Sequence, residues 1–241
     1  GNAYTVPFKE SCPEALIQHV WMNEGAYWST AQSCYQPVCM PQDDDQGMFY
    51  LEPFLAKENN LLLSGKILIP ESDKVGLSFY YCGTTDDLFD LAPTVRIPSG
   101  ETYYLTEPIH TNSVGTGWQR VFVSLAQFKG KVVQVGVNVN ARSQQDYFLL
   151  DNIEVREFLG HDVAVAGLTT PATMTVGVDN KVTATITNMG THDADNIAVQ
   201  LLSDNDVVET VNIEHLAVSA KQTVEITVRP TVTQTEATTY K

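Results

Sequence analysis

The sequence contains no apolar run of the ~18 residues that a membrane-spanning helix needs, so no segment of its 241 residues is expected to cross a bilayer as a helix. It shows no signal-peptide pattern and no lipidation motif. Basic side chains are scarce: 14 Lys and Arg stand against 29 Asp and Glu, for a formal charge of −15. That balance excludes the basic footprint of a nucleic-acid binder and argues against docking on anionic lipid. The five histidines are scattered. Gly-x-Ser-x-Gly, His-Glu-x-x-His and phosphate-cradling glycine loops are all missing. No catalytic constellation assembles, and the chain is expected not to be an enzyme. Cysteine is limited to Cys12, Cys34, Cys39 and Cys82. The Cys-x4-Cys spacing has neither a second pair nor a nearby His, so zinc is not expected. His19 and His110 carry no signature of a base for a cysteine nucleophile.

Hydrophobic residues make up 43% of the chain, enough to build a core. Their type changes along it. Of 22 aromatic residues, all but Tyr240 lie at or before Phe158, and so do all four cysteines. Residues 161–241 hold 16 threonines, against 9 in residues 1–160. Such a shift marks two domains with different cores, 1–159 and 160–241, with Gly160 as a hinge. Charge does not separate them, since both parts are acidic. The chain opens on Gly1-Asn2 without Met, which suggests a trimmed leader with Gly1 as a cleavage scar.

The first part reads as all-β. Lys74 to Tyr81, Arg120 to Leu125 and Lys131 to Val139 alternate with period two, with Val133, Val135, Val137 and Val139 on one side. Tyr147 to Leu150 is a buried-strand run ending at Asp151. Pro and Gly punctuate the intervals, and the spacing suggests a sandwich or jelly roll. One helix is expected, Cys12 to Trp21, with Ser11 as cap and Pro13 at its first position. The second part gives five alternating segments: Asp162–Leu168, Lys181–Asn188, Asn196–Leu202, Val207–Ile213 and Thr223–Val228. It reads as a small immunoglobulin-like sandwich without the Cys pair or Trp of an antibody domain. Five strands fall short of the usual seven. The run Thr235-Glu-Ala-Thr-Thr-Tyr-Lys241 looks like the start of another strand, so a following segment or a partner is expected to complete the domain.

Several motifs add a resemblance. Val6-Pro-Phe-Lys-Glu-Ser11, Leu61-Leu-Leu-Ser with Val75-Gly-Leu-Ser-Phe-Tyr-Tyr81, Trp118-Gln-Arg-Val-Phe-Val-Ser-Leu125 with Phe128-Lys-Gly-Lys131, and Phe148-Leu-Leu-Asp-Asn-Ile-Glu-Val155 resemble the strands of cleaved-adhesin or choice-of-anchor J domains, jelly rolls related to MAM domains. Asp162-Val-Ala-Val, Val176-Gly and Val182-Thr-Ala-Thr-Ile-Thr-Asn-Met-Gly190 resemble a CARDB-type adhesion-related domain. Such pairings imply an exported, multidomain surface protein of Bacteroidetes-like bacteria that contacts glycan or a host or matrix protein. The chain departs from the pattern at Cys12-Pro13 and at Asn152. Related jelly rolls often hold a structural calcium between first and last strands, and Glu10, Asp151 and Asn152 are the positions left to match. The competing reading is that Asp151 ends a strand and caps its backbone.

The acidic run Asp43-Asp44-Asp45-Gln46-Gly47 lacks the Gly and Glu positions of an EF-hand and reads as a solvated loop. Asp86-Asp87 and Asp90 read as another. Two disulfides would allow three pairings. Cys34–Cys39 with Cys12–Cys82 is favoured, against buried thiols. Sugar rings stack apolar C–H faces on flat aromatics while their hydroxyls take polar partners. Trp28 and Tyr104 are the first candidates for such a platform, followed by Tyr27 and Tyr35; each competes with a place in the core. The expected function is non-catalytic adhesion or recognition. The alternative is a structural spacer in a larger surface protein or secreted hydrolase.

Overall fold

Period-two alternation becomes strand wherever the sequence shows it, because an extended segment with one apolar face gains by burying that face against another sheet. The computed structural model describes residues 1–231, apart from Gln36, Asp44, Pro53, Leu55, Lys57, Val114, Ser143 and Gln144. Among these there is no α-helix. The chain is all-β in two compact units, Gly1–Phe158 and Leu159–Lys241. Gly160 is held inside the second, where its carbonyl accepts the N–H groups of Thr191 and His192.

The strands of the first unit are β1 (Phe8–Glu10), β2 (Trp21–Glu24), β3 (Trp28–Ala31), β4 (Cys34–Tyr35), β5 (Val38–Cys39), β6 (Met48–Leu51), β7 (Asn60–Ser64), β8 (Ile67–Leu68), β9 (Val75–Gly83), β10 (Phe89–Arg96), β11 (Thr102–Tyr104), β12 (Ile109–His110), β13 (Gly117–Ser124), β14 (Val132–Ala141) and β15 (Phe148–Glu157). They build a jelly-roll sandwich. One sheet runs β13-β9-β15-β6-β3, with β1 also on β15. The other runs β11-β10-β14-β7-β2, with β12 on β10 and β8 on β14. Between them Leu77, Phe79 and Tyr81 of β9 and Phe148 and Leu150 of β15 meet Leu91 and Val95 of β10 and Val133, Val135, Val137 and Val139 of β14.

Two local devices shape the functional surfaces. In β15 the core residues are Phe148, Leu150, Ile153 and Val155, so the alternation slips by one. The register against β9 shifts between Asp151 and Glu154, and Asn152 takes a positive φ of 48°. This bulge keeps Ile153 and Val155 in the core while placing Asp151 and Asn152 side by side. The second device is a disulfide between Cys39 and Cys82, which ties the β4–β5 hairpin to β9. The favoured pairing of the sequence reading does not form. Cys12 packs in the core between the sheets, whereas Cys82 packs in a separate cluster with Cys34, Cys39, Met48 and Leu149.

The helix expected over Cys12–Trp21 is also absent. Only Pro13–Ala15 makes a 3-10 turn, and Trp21 already belongs to β2. Local capping signals lose to a buried side chain. The Glu10 carboxylate accepts the backbone N–H groups of Cys12, Gln18 and His19, at 2.9–3.2 Å. Donors that a helix would direct at its own carbonyls are thus drawn to one charged acceptor.

The second unit contains β16 (Val163–Thr169), β17 (Asn180–Asn188), β18 (Ala194–Ser203), β19 (Asp206–Leu216) and β20 (Lys221–Val228). These are the five segments read from the sequence. β16, β17 and β20 form one sheet and β18–β19 a second, an immunoglobulin-like sandwich over an aliphatic core of Val182, Ala184, Ile186, Val199, Leu201, Ile213, Leu216, Val224 and Ile226. Asp204 and Asn205 both take positive φ, 48° and 80°, as the tight turn between β18 and β19 demands. The expected strand over 235–241 lies outside the described residues. Buried Asn188 closes one end of the unit: its amide donates to His192 and Leu216 carbonyls and its Oδ1 accepts the Gly190 N–H. Asn188→Ala leaves those groups unpaired and is expected to cost about 1–3 kcal/mol, read as a lower melting temperature for this unit.

Candidate functional site

The four aromatic candidates do not gather in one place. Trp28 is 3% exposed and sits in the core, edge-on to Phe148. It presents no ring face to a ligand, which corrects the expectation from the sequence. β3 pairs with β6, and the side that carries Trp28 and Leu51 is the inner one. Tyr35 is 81% exposed on the β4–β5 hairpin, opposite Val38. Tyr27 is exposed just before β3. Tyr104, 57% exposed, lies on β11 at the edge of the seven-stranded sheet. Its neighbour Tyr103 takes the opposite side of the strand, as the alternation requires, and touches the Phe128 ring while staying partly exposed.

Tyr104 begins a row across the outer face of that sheet. The register pairs Tyr104 with Thr94, Thr94 with Gly136, Gly136 with Leu63 and Leu63 with Met22. The next row runs Ala92, Asn138, Leu61, Glu24. On the other side Thr102 pairs with Arg96 and Arg96 with Gln134. Side chains alternate across a sheet, so all of these point away from the core. Thr94 is 0% exposed and Leu63 1%, low values for an outer face. The Arg96 guanidinium makes a two-pronged ion pair with the Glu24 carboxylate, with Nη2 to Oε2 at 3.0 Å. Gln134 Nε2 reaches Met22 Sδ at 3.3 Å and the Ser64 carbonyl at 3.0 Å. On a flat sheet the Cα atoms of Arg96 and Glu24 would stand on the order of 19 Å apart, three strands across and four residues along. Their contact therefore requires a twisted sheet on which the two long side chains reach toward each other. Arg96 holds the Glu24 carboxyl below its ordinary range, chiefly by hydrogen bonding. Tyr104 is close enough to bear on the Arg96 charge.

A second site forms where the acidic run meets the bulge. Carboxylate oxygens of Asp43, Asp45 and Asp151 all lie within 4.8 Å of one another. Gln42, next to them, donates its backbone N–H to Asp151 Oδ2 at 2.9 Å across 109 residues of sequence. Asp45 Oδ1 and Asn152 Oδ1 are buried and have no hydrogen-bond partner. Asp151 is 1% exposed. Burial first, and then the charges of Asp43 and Asp45, push its carboxyl up to about 7, against the pull of the Gln42 and Asn152 N–H groups. Asp45 is raised as well, by burial and then by Asp43. Lys9 Nζ stands 4.0 Å from Asp43 Oδ2. Asp45 also lines an open surface depression with Pro13, Glu14, Leu16, Gln18 and Gln46.

Orphaned oxygens and crowded carboxylates fit a hard, oxygen-preferring cation such as calcium. Two of the three expected ligands, Asp151 and Asn152, are here. Glu10 is not a suitable third: its two oxygens accept three backbone N–H groups, the Trp21 indole N–H at 3.1 Å and a contact from His19 Nδ1 at 3.0 Å. Its lone pairs are already used. Asp43 and Asp45 take its place, although the sequence suggested only a solvated loop; Asp44 lies outside the described residues. The other acidic group, Asp87 and Asp90, is bridged by Arg142, with His110 on Asp90. That group satisfies its own charges.

Among the described residues no helix is long and apolar enough to cross a membrane. The family model CARDB matches residues 161–241. No curated protein matches the chain. Among solved structures the chain is similar to the K1 cleaved adhesin domain of Lys-gingipain from Porphyromonas gingivalis W83, at 16% identity and TM-score 0.46, covering 63% of this chain and 98% of that one. It is also similar to the CBM22-1 xylan-binding domain of Xyn10C from Paenibacillus barcinonensis, at 13% identity and TM-score 0.43, covering 65% and 97%.

Proposed function

We propose that the first unit is a non-catalytic recognition module of an exported surface protein, that it binds glycan on the outer face of the seven-stranded sheet, and that the second unit serves as an adhesion-related spacer. The observation that carries this reading is Tyr104, a largely exposed ring on the edge strand of the seven-stranded sheet, beside the fixed donors and acceptors of Arg96 and Glu24. An aromatic plate next to a planar polar pair offers the two surfaces a sugar presents, apolar C–H and hydroxyl. The motifs of residues 4–158 support a choice-of-anchor J, MAM-like relationship for this unit, and the CARDB match supports the spacer role of the second. Affinity electrophoresis in gels carrying soluble polysaccharides tests it. Tyr104→Ala is expected to weaken retention at least tenfold, about 1.4 kcal/mol, with the melting temperature unchanged. Retention that survives the substitution would remove this face as the site. Binding to a matrix protein alone would replace glycan by protein, and binding to nothing would leave the spacer reading.

Calcium belongs to the same proposal as a structural ion. Asp43, Asp45 and Asp151 would hold it, with Asn152 Oδ1 beside them. Bound there, it neutralises the buried carboxylates and fixes the 40–47 loop to the bulge of β15. The ion would brace the sandwich and take no part in ligand chemistry.

A further inference from the structure

The reading above leaves open which glycans the face accepts, and the charge arrangement narrows this. We infer that the ligand is an uncharged glycan lying across the strands from β11 to β2; the inference rests on the recognition reading and goes on to its chemistry. Two arginines project from this face among the described strands and their ends, Arg96 and Arg142. Neither offers a charge to a ligand. Arg96 is engaged at both prongs by Glu24, and Arg142 by Asp87 and Asp90. Asp90, the acidic group beside Arg142, is paired with it and with His110, and the uncharged outward side chains include Gln134, Asn138, Tyr104 and Met22. The unit around them is acidic, with 19 acidic against 10 basic residues in positions 1–158. A uronate or sulfated chain would meet net repulsion without a counter-ion, so charge complementarity favours a neutral occupant.

Direction follows from the register. Tyr104 on β11 and Met22 on β2 end one row that crosses five strands, about 19 Å at the usual inter-strand spacing. Between them lie the buried Thr94, Gly136 and Leu63, with the Arg96–Glu24 pair on the same face of the sheet. A glycan laid along the row would stack on Tyr104 and exchange hydroxyl hydrogen bonds with the pair. The pair thus acts as a fixed array of donors and acceptors, with its charge internally cancelled.

The test compares neutral polymers (β-glucan, mannan, arabinoxylan) with uronate polymers (polygalacturonate, alginate, hyaluronate) in affinity gels at low and high salt, using the full chain and Tyr104→Ala, Glu24→Gln and Arg96→Met. Expected are retention by a neutral polymer that salt does not change, loss of that retention by at least tenfold in Tyr104→Ala and Arg96→Met, and gain of salt-sensitive uronate binding in Glu24→Gln, where Arg96 loses its partner. Wild-type binding to uronates that weakens with salt and with Tyr104→Ala overturns the neutral-ligand inference while the recognition face stands. Neutral binding that is indifferent to Tyr104→Ala overturns the face itself. Failure of every polymer to retard the chain overturns both. Circular dichroism of each variant separates lost binding from lost folding.

Discussion

Trp28→Ala is expected to destabilise the first unit by about 3–5 kcal/mol, the usual range for emptying a buried tryptophan site. The ring fills the space beside Phe148 at the inner end of β3, and its removal strands that neighbour and Leu51 across the β3–β6 pair. For a unit of this size the melting temperature should fall on the order of 10 °C. The decisive comparison is Trp28→Phe. The indole Nε1 is buried without a partner, so the phenyl ring restores most of the packing and deletes an unpaired donor at the same time. Trp28→Phe should therefore lose much less stability than Trp28→Ala and should retain full glycan binding. Binding that disappears in a stably folded Trp28→Phe protein would return Trp28 to the ligand surface and contradict its burial.

The second large effect concerns calcium and pH together. In chelated protein Asp151 titrates near 7, against an ordinary value of 3.8. The native state then holds this proton more tightly than the unfolded chain does. The stability contributed by this proton is fully present at pH values below about 4 and is lost as pH rises through about 7. Chelated protein should melt at a higher temperature at pH 5 than at pH 8. Calcium requires the deprotonated carboxylates, so it binds best where the chelated protein is weakest. At a free concentration about 100 times its dissociation constant it should add about 2.7 kcal/mol. Millimolar calcium at pH 8 should thus raise the melting temperature by several degrees and flatten the pH trend. Asp151→Asn removes the buried charge. It should abolish the calcium response yet melt no lower than chelated wild type at pH 8. A melting temperature at pH 8 that ignores calcium would sink the structural-ion proposal.

Some features were readable because they are written locally. Thr183 and Thr185 alternate with Val182, Ala184 and Ile186, and an apolar face of period two has one low-energy use, burial against a second sheet. The five strands of the second unit and the inward row Val133, Val135, Val137 and Val139 of β14 follow from that rule alone. The opposite facing of Tyr103 and Tyr104 follows from the same pleat. The helix over Cys12–Trp21 was misread although its capping signals were sound. Those signals are worth about 1 kcal/mol each. A buried carboxylate on β1 that collects backbone donors from residues 12, 18 and 19 outweighs them. The exposure of Trp28 was misread for a similar reason, since an aromatic beside Tyr27 carries no sign of which edge strand will turn it inward.

The two sites divide along the same line. Sequence by itself determined an all-β chain, a change of core type near residue 160, an acidic charge balance in both parts, and a concentration of aromatics in the first. These are properties of composition and short-range periodicity, which need no partner to be expressed. Tertiary structure alone decided that Asp43 and Asp45 meet Asp151, that Cys39 rather than Cys12 bonds Cys82, and that Glu24 of β2 closes on Arg96 of β10. Each of these joins residues far apart in the chain. Their proximity depends on strand order, a one-residue bulge in β15 and the twist of a sheet, all settled by the packing of the whole sandwich.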